Sequence, residues 1–178
     1  TGVAAINAGG MTIHSFFQLP LSSFVPANDA VDMNIAINRR TLGSFFRHNA
    51  EKIKLIRELD LIIIDEISMV RCDLMDVIDF VLRHVRRNPN PFGGVQLLMI
   101  GDLYQLPPIV KENAWEILKN YYENIYFFNA LVWKEIDYLT FALTKVYRQT
   151  DEQFLNILNA LRDGNIDAGI LATLNDRY

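Results

Sequence analysis

The chain has 178 residues, 51% hydrophobic, 11% aromatic and 21% charged, a balance that fits a folded globular domain and excludes a disordered or collagenous chain. Seventeen Lys and Arg against 21 Asp and Glu leave a net charge of −4, which excludes a bulk electrostatic nucleic-acid binder, so any nucleic-acid track must be local. The longest apolar runs, such as residues 61–64 and 97–100, fall well short of the about 18–20 residues a membrane-spanning helix needs, and the lone Cys72 can form neither an internal disulfide nor a Cys-rich zinc site.

At this length a single core hiding about 70% of the unfolded surface is feasible, so one domain is expected. No charged-then-apolar leader is visible, and an intracellular, reducing compartment is the expectation. The chain opens on Thr1 and Gly2 rather than Met, and the apolar VAAI (3–6) ahead of Gly9 and Gly10 reads as a strand of a cut chain, its upstream partners missing. Thr12 then caps a short helix carrying Ile13, Phe16 and Phe17 until Pro20 stops it. Residues 19–40 read as loop, with two prolines, small polar residues and the Arg39–Arg40 pair but no sustained periodicity. A helix resumes near Asn49, with Ile53, Ile56 and Leu59 on one face.

LIIID (61–65) reads as a fully buried parallel strand, short, β-branched and apolar on both faces until it ends in acid. A long amphipathic helix over about 73–87 follows, its apolar face formed by Leu74, Val77, Ile78, Val81, Leu82 and Val85, with Arg83, Arg86 and Arg87 where cations suit the helix dipole. NPNPFGG ends it. VQLLMI (95–100) reads as a second buried strand, then a helix over about 113–120, a short strand NIYFF (124–128) and another strand YLTFAL (138–143). Phe154, Leu155, Leu158 and Leu161 mark a helix from Asp151 to Asp163 that Gly164 stops, and a last short helix runs toward Tyr178. Alternating strands and helices predict an α/β fold, a mostly parallel sheet with helices on both faces.

In open α/β sheets ligands collect beyond the carboxyl ends of the strands, so polar residues there carry most weight. The first strand ends in Asp65-Glu66, the Walker B arrangement, in which one carboxylate is aimed at Mg²⁺ and the next at the attacking water. Taken alone, a strand-terminal Asp-Glu is equally a helix cap or a solvated turn. The second strand leads into GDLYQLPPI (101–109). Gly101 lets the backbone pass close, Asp102 and Gln105 offer an acid and an amide, and Pro107-Pro108 stiffens the exit. A neutral amide such as Gln105 can hold a γ-phosphate oxygen or the attacking water without repelling either. The plainer reading of this string is a proline-stiffened turn.

Four segments in order make the chain resemble the motor core of a superfamily 1B DNA helicase of the petite-integration-frequency (Pif-type) family, and more distantly RecD-like enzymes. TGVAAINAGGMTIHSFF (1–17) resembles motif Ia, LDLIIIDEISMV (59–70) motif II, GDLYQLPPI (101–109) motif III and LTKVYRQ (143–149) motif IV. The resemblance implies a P-loop NTPase, RecA-like three-layer core truncated at both ends. It implies Asp65 as the Mg²⁺-associated acid, Glu66 as general base, Gln105 as phosphate sensor and Arg148 as the arginine that reaches the transferring phosphate of ATP. Outside that context Arg148 would read as a surface salt bridge to Asp151 or Glu152. Motif Ia lies against single-stranded DNA in this family, which points to Thr1, Thr12, His14 and Ser15 for phosphates or sugars and Phe16 for stacking. The plainer reading makes His14 a satisfied polar group and Phe16 and Phe17 core.

Residues of about 19–48 occupy the place of the family's small insertion, which helps separate duplex strands. Implied partners are single-stranded and forked duplex DNA, with 5′-to-3′ movement, no membrane and a monomeric motor, in the nucleoid, nucleus or mitochondrion. No G-x-x-x-x-G-K-[ST] loop is present, so these 178 residues alone are expected to fold marginally, to bind ATP poorly and not to unwind DNA. A non-catalytic DNA- or protein-binding scaffold is the competing expectation.

Overall fold

The structure, a computed structural model, describes Ala5, residues 9–28, Asp32 and residues 35–45, 50–147 and 151–175. They fall into two compact units, Thr1–Asp137 and Tyr138–Tyr178.

In the first unit, helix α1 (Ile13–Phe17) starts where the hydroxyl of Thr12 accepts the Ser15 N–H at 3.2 Å and ends at Gln18, in the left-handed region (φ 53°). Strands β1 (Ser23–Val25) and β2 (Ala36–Asn38) follow, paired in parallel with Phe24 opposite Ile37. These strands correct the loop expected over 19–40. Each is only three residues long, too short for a period of two to show, and every residue of both is buried. Asn38 then turns the chain into α2 (Arg39–Phe45), its side-chain oxygen accepting the N–H groups of Arg40 and Thr41 at 3.0 and 2.9 Å, an N-cap. The apolar stretch expected as a strand over 3–6 lies outside the described residues except for Ala5, which is helical.

Helix α3 (Ala50–Glu58) leads to β3 (Leu61–Ile64), which a long helix, α4 (Cys72–Arg86), connects to β4 (Gln96–Met99). The two strands pair in parallel, with Leu61 opposite Gln96 and Ile64 opposite Met99, as the sequence predicts. Burial differs from the prediction: Leu61 (43%), Ile63 (59%), Leu98 (46%) and Ile100 (46%) are exposed, whereas Ile62, Ile64, Leu97 and Met99 face the core. A strand alternates its side chains, so a sheet covered on one face buries only every second residue.

Helix α4 is the spine of this unit. Its apolar stripe (Met75, Ile78, Val81, Leu82 and Val85) is buried, and three acids on it hold other segments. Asp73 accepts the Phe24 N–H at 2.9 Å and both arms of the Arg71 guanidinium, tying β1 to the start of α4. Asp76, 8% exposed, accepts the N–H groups of Leu131 and Val132 at 3.0 Å each and the Tyr122 hydroxyl at 2.8 Å. Burial raises the Asp76 carboxyl above its ordinary value, and these donors pull it part of the way back. Asp79 accepts from Arg83 and from the Phe92 N–H. At the other end, Arg86 donates to the carbonyls of Ile56, Arg57 and Leu59, a cation closing the C-terminus of α3. Gly93 sits under α4 at φ 60°, where a Cβ would meet the Leu82 carbonyl oxygen at 2.7 Å.

Helix α5 (Glu112–Leu118) falls where expected. The strand expected at 124–128 does not form. Tyr126 makes one isolated antiparallel bridge to Arg71, and Phe127–Asn129 is a 3₁₀ turn, because a lone bridge offers no ladder along which to extend. Trp133 lies with its ring centre 5.5 Å from that of Phe92 and donates to the Phe127 carbonyl.

In the second unit residues 138–147 carry no regular structure and are all exposed, in place of the expected strand over 138–143. Helix α6 (Glu152–Asp163) is capped by Asp151, whose carboxylate accepts the Phe154 N–H at 3.0 Å, and is stopped by Gly164 at φ 70°, as predicted. Helix α7 (Ala168–Asn175) ends the described chain. No helix of the described residues is long and apolar enough to cross a membrane.

Replacing Asp76 by Ala would strand three buried donors, so Asp76→Ala is expected to cost roughly 3 kcal/mol or more and Tyr122→Phe only about 1 kcal/mol. Urea unfolding of both variants checks the difference; equal losses would remove Asp76 as the anchor.

Candidate nucleotide site

Strand β3 ends in Asp65 and Glu66, and β4 leads through Ile100 into Gly101. The parallel ladder runs one step past both strands: the Ile100 N–H donates to the Ile64 carbonyl at 2.9 Å, and the Ile67 N–H donates back to the Ile100 carbonyl at 2.9 Å. The acid pair and the 101–109 segment therefore leave the sheet side by side from its carboxyl edge. Gly101 permits this approach. A Cβ there would stand 2.9 Å from the Ile67 nitrogen and 3.0 Å from its Cγ2.

Glu66 occupies the left-handed region at φ 54°, and its N–H donates to the Asp65 carboxylate at 2.8 Å. That conformation costs a non-glycine residue on the order of 1–2 kcal/mol, and it re-aims the Glu66 side chain out of the alternation of the strand. The chain then closes a 3₁₀ turn, Ile67–Met69, in which Ser68 is buried with no hydrogen-bond partner for its hydroxyl among the described residues.

Across from the acids, Asp102 organises the second loop. Its carboxylate accepts the Tyr104 N–H at 3.1 Å and the side-chain amide of Gln105 at 3.2 Å, while its carbonyl accepts the Gln105 N–H at 3.1 Å. Gln105 is exposed and Pro108 buried, so the loop is pinned at its exit while its amide faces solvent.

The donor set suits Mg²⁺. Mg²⁺ keeps several waters and takes one or two carboxylates plus phosphate oxygens rather than a full protein cage. Asp65 offers one such carboxylate at the strand end, and no group of three or more His, Cys, Asp or Glu side chains among the described residues could hold a metal by itself.

Of the motif Ia residues, His14, Ser15 and Phe16 lie on α1 and Thr12 caps it. Thr12 uses its hydroxyl as the cap, Ser15 is exposed, and His14 is half-buried with its imidazole pushed below the ordinary value by burial and then by the Arg71 guanidinium. His14 can thus donate a hydrogen bond but carries little positive charge. Phe16 packs edge-on against Phe17 and holds the Lys52 ammonium 3.7 Å from its ring centre. Thr1 and Arg148 lie outside the described residues. The three anchoring acids of α4 were not marked by its apolar periodicity, although Asp73, Asp76 and Asp79 recur every third position in the first half of the helix among apolar residues.

Residues 1–170 match the family model described as PIF1-like helicase. The chain is 39% identical over 168 residues to the ATP-dependent DNA helicase PIF1 of Candida albicans, covering 93% of this chain and 17% of that protein. It is 33% identical over 179 residues to the ATP-dependent DNA helicase RRM3 of Saccharomyces cerevisiae, covering 99% and 22%. Among solved structures, the Pif1 helicase from Bacteroides in complex with ADP-AlF3 and ssDNA superposes with a TM-score of 0.84 at 42% identity, covering 97% of this chain and 37% of that one. The chain thus spans about a fifth of the length of these curated relatives.

Two outcomes test the geometry. Gly101→Ala should lower stability by about 1–3 kcal/mol through backbone overpacking, read as a shifted urea midpoint at constant slope; an unchanged midpoint would mean the two loops have slack. Cys72 is fully buried, donates to the Asn124 carbonyl, and has its thiol pushed up to about 12 by burial. A disulfide reagent at pH 8 should therefore modify it at least about 100-fold more slowly in the folded than in the unfolded chain, and prompt labelling of folded protein would contradict the burial.

Proposed function

The chain belongs to the PIF1-like helicase family, and from that premise we propose that it forms part of the motor of an ATP-dependent DNA helicase, coupling hydrolysis to movement along single-stranded DNA and to opening of duplex forks. The observation that carries the reading is the side-by-side exit of Asp65-Glu66 and the Gln105 loop from one edge of a parallel strand pair, joined by the Ile67 to Ile100 hydrogen bond, the place where α/β folds bind nucleotides.

In this reading Glu66 accepts the proton of the attacking water, its backbone already turned out of the strand line. Asp65, one residue earlier, would hold Mg²⁺ through water. Mg²⁺ when bound neutralises charge on the phosphate oxygens. Gln105, its amide nitrogen turned to Asp102, contacts the terminal phosphate or the water without adding charge. Arg148 supplies a guanidinium against the charge that develops as the phosphate transfers, an effect of on the order of 10³ or more in rate.

Helix α1 belongs to the DNA side. His14 is affected by the charges of Arg71 and Asp73, at the start of α4 and only a few residues past the acid pair. Thr1, Thr12, His14 and Ser15 would meet phosphates or sugars and Phe16 a base, so a shift of the acid-pair turn on hydrolysis has a short route to the strand. Residues of about 19–48 would act as the small insertion beside the fork. The expected direction of travel is 5′ to 3′.

In the full-length protein, Glu66→Gln should lower DNA-stimulated hydrolysis by about 10²–10³-fold while ATP-analogue binding stays within about twofold. Retained turnover rejects Glu66 as the base. Forks with only a 5′ or only a 3′ tail, given to the wild-type protein, test the direction.

A further inference from the structure

Among the described residues, strands β1 and β2 form a sheet of their own, not joined to β3 and β4. Two strands of three residues have little stability alone, so their place in the fold must be set from outside the ladder. The Ser23 N–H faces β2 and donates to the Ile35 carbonyl at 3.3 Å, so the next N–H, that of Phe24, leaves the open edge of β1. There the Asp73 carboxylate accepts it at 2.9 Å. The buried Phe24 ring adds an apolar contact to the same helix, its centre 6.4 Å from that of Phe80.

Asp73 presents its carboxylate from a fixed place. The start of α4 is held to the 124–126 segment by the Arg71–Tyr126 bridge and by the Cys72 N–H, which donates to the Ile125 carbonyl at 3.0 Å. The Arg71 guanidinium grips the carboxylate as a fork, Nε donating to Oδ1 at 2.8 Å and Nη2 to Oδ2 at 2.9 Å, and Oδ2 also accepts the Phe24 N–H. A forked pair fixes orientation as well as distance. Asp73 is 1% exposed, and the cavity that Ser22, Phe24, Arg71 and Asp73 help to line measures about 10 Å³, room for one water at most and for no larger ligand. A buried ion pair is a weak source of stability next to apolar side chains of the same volume, so geometry is the better account of this one. Arg71 follows Glu66 by five residues, across the 3₁₀ turn Ile67–Met69. The donors to Asp76 and Asp79 come from Tyr122, Leu131, Val132, Arg83 and Phe92, none of them in the insertion.

We propose that Asp73 is a positioning residue for duplex opening: clamped by Arg71, it sets the insertion strand β1 in register with the turn that carries Asp65 and Glu66. Hydrolysis at that turn then acts on a firmly placed insertion. Asp73 works through the backbone of β1 rather than by touching nucleotide or DNA. The inference rests on the helicase reading, and within it on the insertion standing beside the fork.

In the full-length protein, Asp73→Asn leaves one acceptor oxygen where the fork and the Phe24 N–H share two. Amide exchange over residues 23–25 should then quicken at least about tenfold, the loss of roughly one charge-assisted hydrogen bond, while β3 and β4 keep their rates. Single-turnover opening of a forked duplex should slow at least about fivefold, with hydrolysis stimulated by single-stranded DNA staying within about twofold of wild type. Arg71→Lys, which keeps the charge but not the fork, should move exchange and opening in the same direction by less. A general loss of packing lowers hydrolysis and opening together, and that result in both variants overturns the inference. Unaltered opening despite faster exchange over 23–25 overturns it as well and leaves the helicase reading standing. A wild-type protein that neither hydrolyses ATP with single-stranded DNA nor opens forks overturns the helicase reading, and this inference with it.

Discussion

The parallel pairing of β3 with β4, carried one residue beyond both strands by the exchange between Ile64, Ile100 and Ile67, is the constraint on which the candidate site depends. Parallel strands point their carboxyl ends the same way, so two loops distant in sequence leave the sheet together. Only glycine at 101 lets the second loop pass the Ile67 backbone so closely. The left-handed Glu66 beside this contact is consistent with local strain held by a well-bonded surround.

That surround is built on α4. Its apolar stripe packs the unit together, while Asp73 and Asp76 reach across to β1 and to the 122–132 segment through backbone donors. Buried carboxylates are costly unless their oxygens are satisfied, and here each accepts at least three hydrogen bonds or ion-pair contacts. The arrangement joins local segments that share no continuous sheet. It also places Arg71, beside the motif Ia helix, next to the residues that follow the acid pair.

The two ends of α4 thereby differ in chemistry. Its N-terminal end lies with the acids, Gln105 and α1, a set suited to phosphate chemistry. Its C-terminal end collects arginines that bind Asp79, Glu135 and the carbonyls closing α3, a set suited to holding segments together. A helix antiparallel to the strands it connects cannot bring both ends to one edge, so the separation is a consequence of the β3–α4–β4 connection itself.

Much of this could be read from local chemistry. The Thr12 cap, the helix beginning at Asp151 and its Gly164 stop, the long helix after the acid pair and the parallel strands 61–64 and 96–99 each rest on residues within a few positions of one another. The place of the acid pair and of the Gly101–Gln105 loop at the ends of neighbouring strands was legible as well, because strand-terminal polar residues stand out against an apolar run. The three-residue strands β1 and β2, the 3₁₀ turn at 127–129, the exposed face of β3 and β4 and the irregular 138–147 stretch were not. Each depends on which distant segment supplies a hydrogen-bond partner or a covering surface. The amino-acid order therefore determined where helices begin and end and which polar groups close the strands. Tertiary packing decided which segments became strands, which face was covered and which acids became anchors, because a backbone N–H or an apolar face has no preferred partner until the folded chain brings one within reach.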